Sequence, residues 1–180
     1  MPTVIGVSIA IPEPFGSELQ RARISFGDTA AEGIPTHITL LPPTEVDDAT
    51  LGGVRAHLER VAAAARPFVV QLRGTGTFRP VSPVVFVQIA RGIPHCERLE
   101  QAVRQGLLER ELAFPYHPHI TVAQGVSEEN LDRAFDELAT YTVTFTVSKF
   151  YLYIQGEDGA WHPVESFTLG ASHADPAGTA

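Results

Sequence analysis

The pattern of apolar and polar positions divides the chain into short strands and amphipathic helices. Thr3–Ile11 is a continuous, β-branched run, which is typical of a buried strand, and we expect it at the centre of a sheet. Glu18–Phe26 has a pattern compatible with a helix. Ile34–Leu41 alternates between apolar and polar residues, which predicts a second strand that ends at Pro42-Pro43.

Three further segments have apolar residues at helical spacing, and each carries a signal for its beginning. Asp47 and Asp48 can cap the first helix. Pro94 suits the first turn of the second helix, which is expected to continue toward Leu112. Ser127 can cap the third helix. The apolar stripes of the first and third helices consist of Leu51, Val54, Leu58, Val61 and Ala65, and of Leu131, Ala134, Phe135 and Leu138.

The remaining strands are predicted as two hairpins. Phe68–Phe78 and Val84–Ala90 are separated by a proline-containing turn. Thr142–Ile154 and Ala160–Leu169 alternate in the same way and predict a final hairpin. We expect residues 1–170 to form one domain and residues 171–180 to be a disordered tail.

Two short motifs recur within this order of elements. His37-Ile38-Thr39-Leu40 and His119-Ile120-Thr121-Val122 are each followed by an amphipathic helix and then by two strands. A duplicated unit of this kind tends to pack about a pseudo-twofold axis, which would place the two motif strands on either side of a cleft between two lobes. The predicted fold class is therefore α+β, with two pseudo-symmetric lobes of antiparallel sheet flanked by helices.

The residue types of these motifs suit the cleavage of a phosphodiester. Residues two apart in a strand share a face, so His37 and Thr39 point one way, as do His119 and Thr121. Imidazole serves as general base or general acid near neutral pH, because its ordinary pKa is about 6.5. The threonine hydroxyls can hydrogen-bond the phosphate oxygens. This scheme requires no metal, and the sequence does not say which histidine is the base.

Other interpretations of the same residues stay open. One such motif alone would be an ordinary strand, but the matching His and Thr in two copies favour a function. The cleft could be a binding module that holds a nucleotide or terminal phosphate without turning it over. His117 and His119 could belong to a metal-dependent hydrolase, although we favour a supporting or structural role for His117 because no further ligand has suitable spacing.

Composition narrows the choice of partners. The formal net charge is −8, which disfavours binding along a long nucleic acid. The single cysteine, Cys96, excludes an intrachain disulfide and a thiolate metal cluster. No apolar run approaches the ~20 residues of a membrane span, so we expect a cytoplasmic protein, and a monomer.

Four residues near the expected cleft are candidates for substrate binding. Arg79 lies where the first hairpin would overhang the groove, and its guanidinium could hold a phosphate. Phe78, Tyr116 and Tyr151 could stack on a base. Ordinary packing or surface exposure is an equally good interpretation of the three aromatic residues.

The paired His-x-Thr-x motifs resemble those of the 2H phosphoesterase superfamily, in particular the bacterial proteins known as 2′-5′ RNA ligase or RNA 2′,3′-cyclic phosphodiesterase. The resemblance covers about residues 4–169 and includes Gly76-Thr77-Phe78 and the closing strand Trp161–Leu169. It implies the bilobal α+β fold, His37 and His119 as catalytic residues, and Thr39 and Thr121 as phosphate ligands.

The resemblance also implies an activity and its substrates. Members of this superfamily open a 2′,3′-cyclic phosphate or make and break 2′-5′ linkages, without metal or nucleotide cofactor. The expected substrate is thus a nucleotide or an RNA terminus. Many members of the cyclic phosphodiesterase branch carry an arginine soon after the second motif, where this chain has Ala123-Gln124-Gly125. That difference favours a looser assignment within the superfamily.

Overall fold

A computed structural model describes residues 2–170 of the chain. The strands in this range are β1 (Pro2–Ala10), β2 (His37–Asp47), β3 (Phe68–Thr77), β4 (Val84–Arg91), β5 (His119–Gln124), β6 (Thr142–Val147), β7 (Lys149–Gln155) and β8 (Trp161–Thr168). The helices are α1 (Phe15–Ser25), α2 (Leu51–Ala64), α3 (Ile93–Val103) and α4 (Glu128–Glu137), with short 3₁₀ turns at Thr29–Gly33, Asp48–Thr50 and Gly106–Leu108.

The strands form two antiparallel sheets of four strands each, with the orders β2-β1-β7-β8 and β5-β4-β3-β6. The motif strands β2 and β5 occupy the same edge position in the two sheets, and the succession β1-α1-β2-α2 is repeated as β4-α3-β5-α4. α1 contacts β5, and α3 contacts β2, so the helix before each motif strand packs on the motif strand of the other lobe. The predicted α+β fold of two pseudo-symmetric lobes is confirmed.

The strand with the first motif extends further than its sequence suggests. β2 continues through Pro42-Pro43 to Asp47, so the prediction that these prolines end the strand is wrong. The pairing with β1 shifts there, since Val7 is opposite Leu41 whereas Ile5 is opposite Thr44. Two residues lacking an N–H are tolerated because they lie in an irregular part of an edge strand, where no ladder hydrogen bond is needed from them.

The last predicted hairpin is divided between the two sheets. Thr142–Ile154 is interrupted at Ser148, so that β6 pairs with β3 in one sheet and β7 pairs with β1 and β8 in the other. The prediction of one strand over this range is therefore wrong, whereas the hairpin of β7 and β8 is observed. The crossover at Ser148 thus adds β6 to one four-stranded sheet and β7 to the other.

Two helix ends also differ from the predictions. α3 ends at Val103 instead of Leu112, and a 3₁₀ turn follows at Gly106, whose φ of +62° suits glycine. Neither Asp47 nor Asp48 caps α2 through its side chain, since a 3₁₀ turn intervenes and Asp48 accepts a hydrogen bond from the Thr3 hydroxyl instead. The Ser127 cap of α4 is confirmed, because its hydroxyl oxygen accepts from the Asn130 N–H.

The core explains why the motif strands are held with one face outward. Ile38 and Ile120 are 0% exposed, and Leu40 and Val122 are also buried, whereas the histidines and threonines between them are partly exposed. Burying these apolar side chains fixes the register of both edge strands, because a slip by one residue would turn the apolar set outward. No helix in residues 2–170 is long and apolar enough to cross a membrane. The expected disordered tail lies outside the described residues.

Candidate active site

A cavity of about 290 Å³ lies where the two lobes meet, and both motifs line it. His37 and Thr39 enter it from β2, and His119 and Thr121 enter it from β5. The structure thus brings together the two pairs of polar side chains that strand alternation and the repeated unit predict to meet in a cleft. The space is close to that of a small-molecule site.

Both histidines are oriented by the same local hydrogen bond. Nδ1 of His37 lies 2.6 Å from the carbonyl oxygen of Pro35, and Nδ1 of His119 lies 2.6 Å from the carbonyl oxygen of His117. A carbonyl oxygen only accepts, so each Nδ1 carries the proton and donates. Nε2 of each ring is left to exchange a proton with a ligand.

Burial lowers the pKa of both imidazoles below the ordinary value of about 6.5. For His37 the loss of solvent is the largest cause, the Pro35 carbonyl opposes it, and the positive charge of Arg23 adds to it. For His119 burial again dominates, and the proximity of His117 and His37 lowers the pKa further. The charge state of the His37 ring therefore affects the protonation of the His119 ring.

An aromatic wall lies beside the second histidine. The Phe78 ring meets the His119 ring edge-on at a centroid distance of 4.9 Å, and the Phe86 ring lies 5.3 Å from it. Phe78 and Phe86 also contact each other at 4.6 Å. These apolar rings cover one side of the imidazole and so contribute to the burial that lowers its pKa.

The rest of the cavity lining was not predicted as part of the site. It includes Arg23, Gln124, Tyr153 and Trp161, and no described carboxylate lines it. A Cβ on Gly6 would lie 3.2 Å from the Trp161 ring, so the indole packs over a glycine. The lone glycine inside the β-branched run of β1 is a sequence signal for such a close approach.

The candidates at the first hairpin point in different directions. The Phe78 ring contacts the His119 ring, although Phe78 does not itself line the cavity. The Arg79 guanidinium instead donates to Glu128 at 2.9 Å and to Asp132 at 2.8 Å, both on α4. Arg79 does not line the cavity, and a role in substrate binding would require it to exchange these carboxylates for a phosphate.

The two tyrosine candidates occupy different places. The Tyr116 hydroxyl donates to the main-chain carbonyl of Thr39 at 2.6 Å and so links the segment before β5 to β2. Tyr151 lies on the same face of β7 as Tyr153, with its ring 6.1 Å away and the Lys149 ammonium over it at 5.5 Å. Neither Tyr116 nor Tyr151 lines the cavity.

His117 is exposed and lies next to the site. Its ring is 6.1 Å from that of His119 and touches the edges of Phe78 and Phe86. Its carbonyl oxygen orients His119, so the segment serves the site through its main chain. In residues 2–170, no group of three or more His, Cys, Asp or Glu side chains is placed to hold a metal ion.

Known proteins are similar to this chain in sequence and in fold. A Bacillus cereus protein named "Putative phosphoesterase" is 29% identical over 139 residues, which cover 76% of this chain and 80% of that protein. A similarly named protein of Bacillus licheniformis is 29% identical over 140 residues, which cover 77% and 82%.

Among solved structures, the fold is similar to that of E. coli LigT complexed with 3′-AMP. The TM-score is 0.67 at 19% identity, and the match covers 94% of this chain and 99% of that chain. Residues 11–159 match the family model described as the 2′-5′ RNA ligase superfamily. This match spans most of the chain, and the protein therefore belongs to the 2′-5′ RNA ligase superfamily.

Proposed function

We propose that the protein is a metal-independent phosphodiesterase that acts on a 2′,3′-cyclic phosphate or a 2′-5′ linkage at a nucleotide or RNA end. One observation carries the proposal: two imidazoles, each with Nδ1 held by the carbonyl of the residue two before it, enter one cavity from symmetric strands. Each motif also supplies a threonine hydroxyl to that cavity.

In the proposed reaction, water attacks phosphorus while one P–O bond of the ester breaks. Nε2 of one histidine takes the proton from the water, and the protonated Nε2 of the other gives a proton to the departing oxygen. Thr39 and Thr121 donate hydrogen bonds to the two non-bridging oxygens, which holds the phosphorus in line between the imidazoles. The number of protons bound by the protein is unchanged over the cycle, although the two histidines exchange protonation states.

The surroundings of the histidines support both protonation states. Burial favours the neutral ring that a general base needs, and the carbonyl at Nδ1 opposes that effect by favouring the cationic ring that a general acid needs. A bound phosphate brings negative charge between the rings and further stabilises one imidazolium. The site can therefore hold one ring neutral and the other charged near neutral pH.

The lining of the cavity favours a nucleotide as the substrate. Arg23 supplies a positive charge, and Trp161 and Tyr153 supply aromatic surface for a base. LigT, which shares the fold, has been crystallised with 3′-AMP and with ATP. The net charge of −8 fits a short substrate better than a long nucleic acid.

The test is hydrolysis of a nucleoside 2′,3′-cyclic phosphate by the wild-type protein in excess chelator, followed by ³¹P NMR. We expect conversion to a phosphomonoester at a rate that added divalent metal does not change. Turnover that the chelator abolishes and metal restores would contradict the metal-independent mechanism.

The binding module remains the second candidate. Tight binding of the cyclic nucleotide and of a 2′-5′ dinucleotide, with neither converted over long incubation, would replace the enzyme by such a module. The same reaction mixtures distinguish these outcomes.

A further inference from the structure

Arg23 places a permanent positive charge inside the cavity. It lies in the last turn of α1, is 5% exposed, and lines the cavity together with His37. The positive charge of Arg23 helps to lower the pKa of the His37 imidazole. Among the described residues that line the cavity, it is the only arginine or lysine.

The guanidinium is held from one side by a single carboxylate. Nε of Arg23 donates to Oδ2 of Asp28 at 2.8 Å, and the two side chains are 6% and 5% exposed. The Asp28 N–H also donates to the Arg23 carbonyl at 3.4 Å, and Gly27, with φ of +87°, makes the turn between them. The arginine is therefore fixed before any ligand binds.

The outer edge of the guanidinium is free. No group within residues 2–170 accepts a hydrogen bond from Nη1 or Nη2. In the same range, no fully buried side-chain nitrogen or oxygen is without a partner, so neither of these nitrogens is fully buried, and the side chain that carries them lines the cavity. Two adjacent N–H groups on a planar fork match two oxygens of a phosphate.

The competing explanation is that the ion pair only fastens the end of α1. An arginine in the last turn is favourable to the helix dipole, and a link to Asp28 would close the turn. A buried ion pair is, however, weak support for stability, because its desolvation offsets its attraction. A fastening role also gives no reason for the arginine to line a cavity that no described carboxylate lines.

We propose that Arg23 is an anion-binding residue of the cleft, which holds the phosphate of the substrate through Nη1 and Nη2 while Asp28 positions it through Nε. The proposal rests on the proposed function, since it names the group that would hold the phosphate beside His37 and the two threonines. It also gives this acidic protein a cation at the cavity, because Asp28 occupies only Nε and no described carboxylate lines the cavity itself.

The experiment compares two variants that both lose the ion pair. Asp28→Asn removes the carboxylate and keeps the cation, whereas the double variant Arg23→Gln/Asp28→Asn removes both charges. Binding of inorganic phosphate to each is measured by titration calorimetry, and folding is checked by thermal unfolding. We expect Asp28→Asn to bind phosphate at least as tightly as the wild type and the double variant to bind it about tenfold more weakly or worse.

Equal phosphate binding by the two variants, or none by the wild type, would overturn the proposal. If the double variant does not fold, Arg23→Lys replaces it, because lysine keeps the charge and loses the two-donor edge. Phosphate binding weakened several-fold at an unchanged melting temperature then supports the proposal, and unchanged binding overturns it.

Turnover separates this proposal from the proposed function. Phosphate binding needs no catalysis, so a protein that binds phosphate through Arg23 but hydrolyses nothing would refute the enzyme and keep the anion site. Conversely, normal hydrolysis with an unchanged KM in the double variant would refute the role of Arg23 and keep the enzyme.

Discussion

Replacing Tyr116 by phenylalanine removes one hydroxyl that connects the two lobes. That hydroxyl donates to the Thr39 carbonyl at 2.6 Å, across 77 positions of sequence. A neutral hydrogen bond contributes about 0.5–1.5 kcal/mol, and an acceptor left without its partner costs about 1–3 kcal/mol. The free energy of unfolding of Tyr116→Phe is therefore expected to fall by about 1–2 kcal/mol.

The assay for this variant is urea unfolding followed by far-UV circular dichroism. The m-value in urea should be unchanged. In thermal unfolding, the same loss corresponds to a melting temperature lower by about 2–8 °C for a domain of this length. Burial raises the pKa of Tyr116 well above its ordinary value, so the hydroxyl stays protonated and the loss should be the same from pH 6 to about pH 9.

Tyr151→Phe is the matched control for Tyr116→Phe. The Tyr151 hydroxyl has no hydrogen-bond partner among the described residues, and removing it should change the free energy of unfolding by less than about 0.5 kcal/mol. If Tyr116 acted only by stacking on a base, Tyr116→Phe would keep its ring and be as stable as the wild type. That outcome would refute the assignment of Tyr116 as a link between the lobes.

Further predictions concern the two motif histidines, Phe78 beside His119, and Trp161 in the cavity lining. Folding lowers the pKa of His37 and His119, so as the pH is lowered from about 6.5 the unfolded chain binds more protons than the folded one. The free energy of unfolding should therefore decrease as the pH decreases in that range, and a flat profile in urea unfolding would contradict this. Phe78→Leu admits water to His119 and should raise its pKa, measured by NMR titration, whereas Phe114→Leu, at an exposed phenylalanine, should leave it unchanged. Trp161, the only tryptophan, lines the cavity, so its fluorescence should change on titration with 3′-AMP; a constant spectrum despite calorimetric binding would place the base elsewhere.

The sequence predicts those parts of the structure that depend on local periodicity. Alternation in His37–Leu40 and in His119–Val122 gives the face of each candidate catalytic side chain, because the period of a strand is two residues. The Ser127 cap is equally local. The division of Thr142–Ile154 at Ser148 is not, since both halves alternate and only pairing with strands distant in sequence assigns them to different sheets.

The parts of the site that could not be predicted depend on tertiary contacts. Arg79 lies in the turn of the expected hairpin, but its guanidinium pairs with two carboxylates on α4 and does not line the cavity. Arg23 and Trp161 reach the cavity from α1 and β8, and nothing in their local sequence states where those elements pack. Gly6, the one glycine in β1, is the only local sign in the sequence that another group packs closely over this strand.

The proposed mechanism requires that His37 and His119 together perform the chemistry. Its most direct test is the rate of hydrolysis of a nucleoside 2′,3′-cyclic phosphate, in excess chelator, by the wild type and by His37→Ala, His119→Ala and His117→Ala. We expect turnover to fall by at least about a hundredfold in the first two variants, because each lacks one proton-transfer group. His117→Ala, which changes an exposed neighbour and keeps the carbonyl that orients His119, should retain most of the activity. Wild-type-like turnover in either His37→Ala or His119→Ala would contradict the two-histidine mechanism.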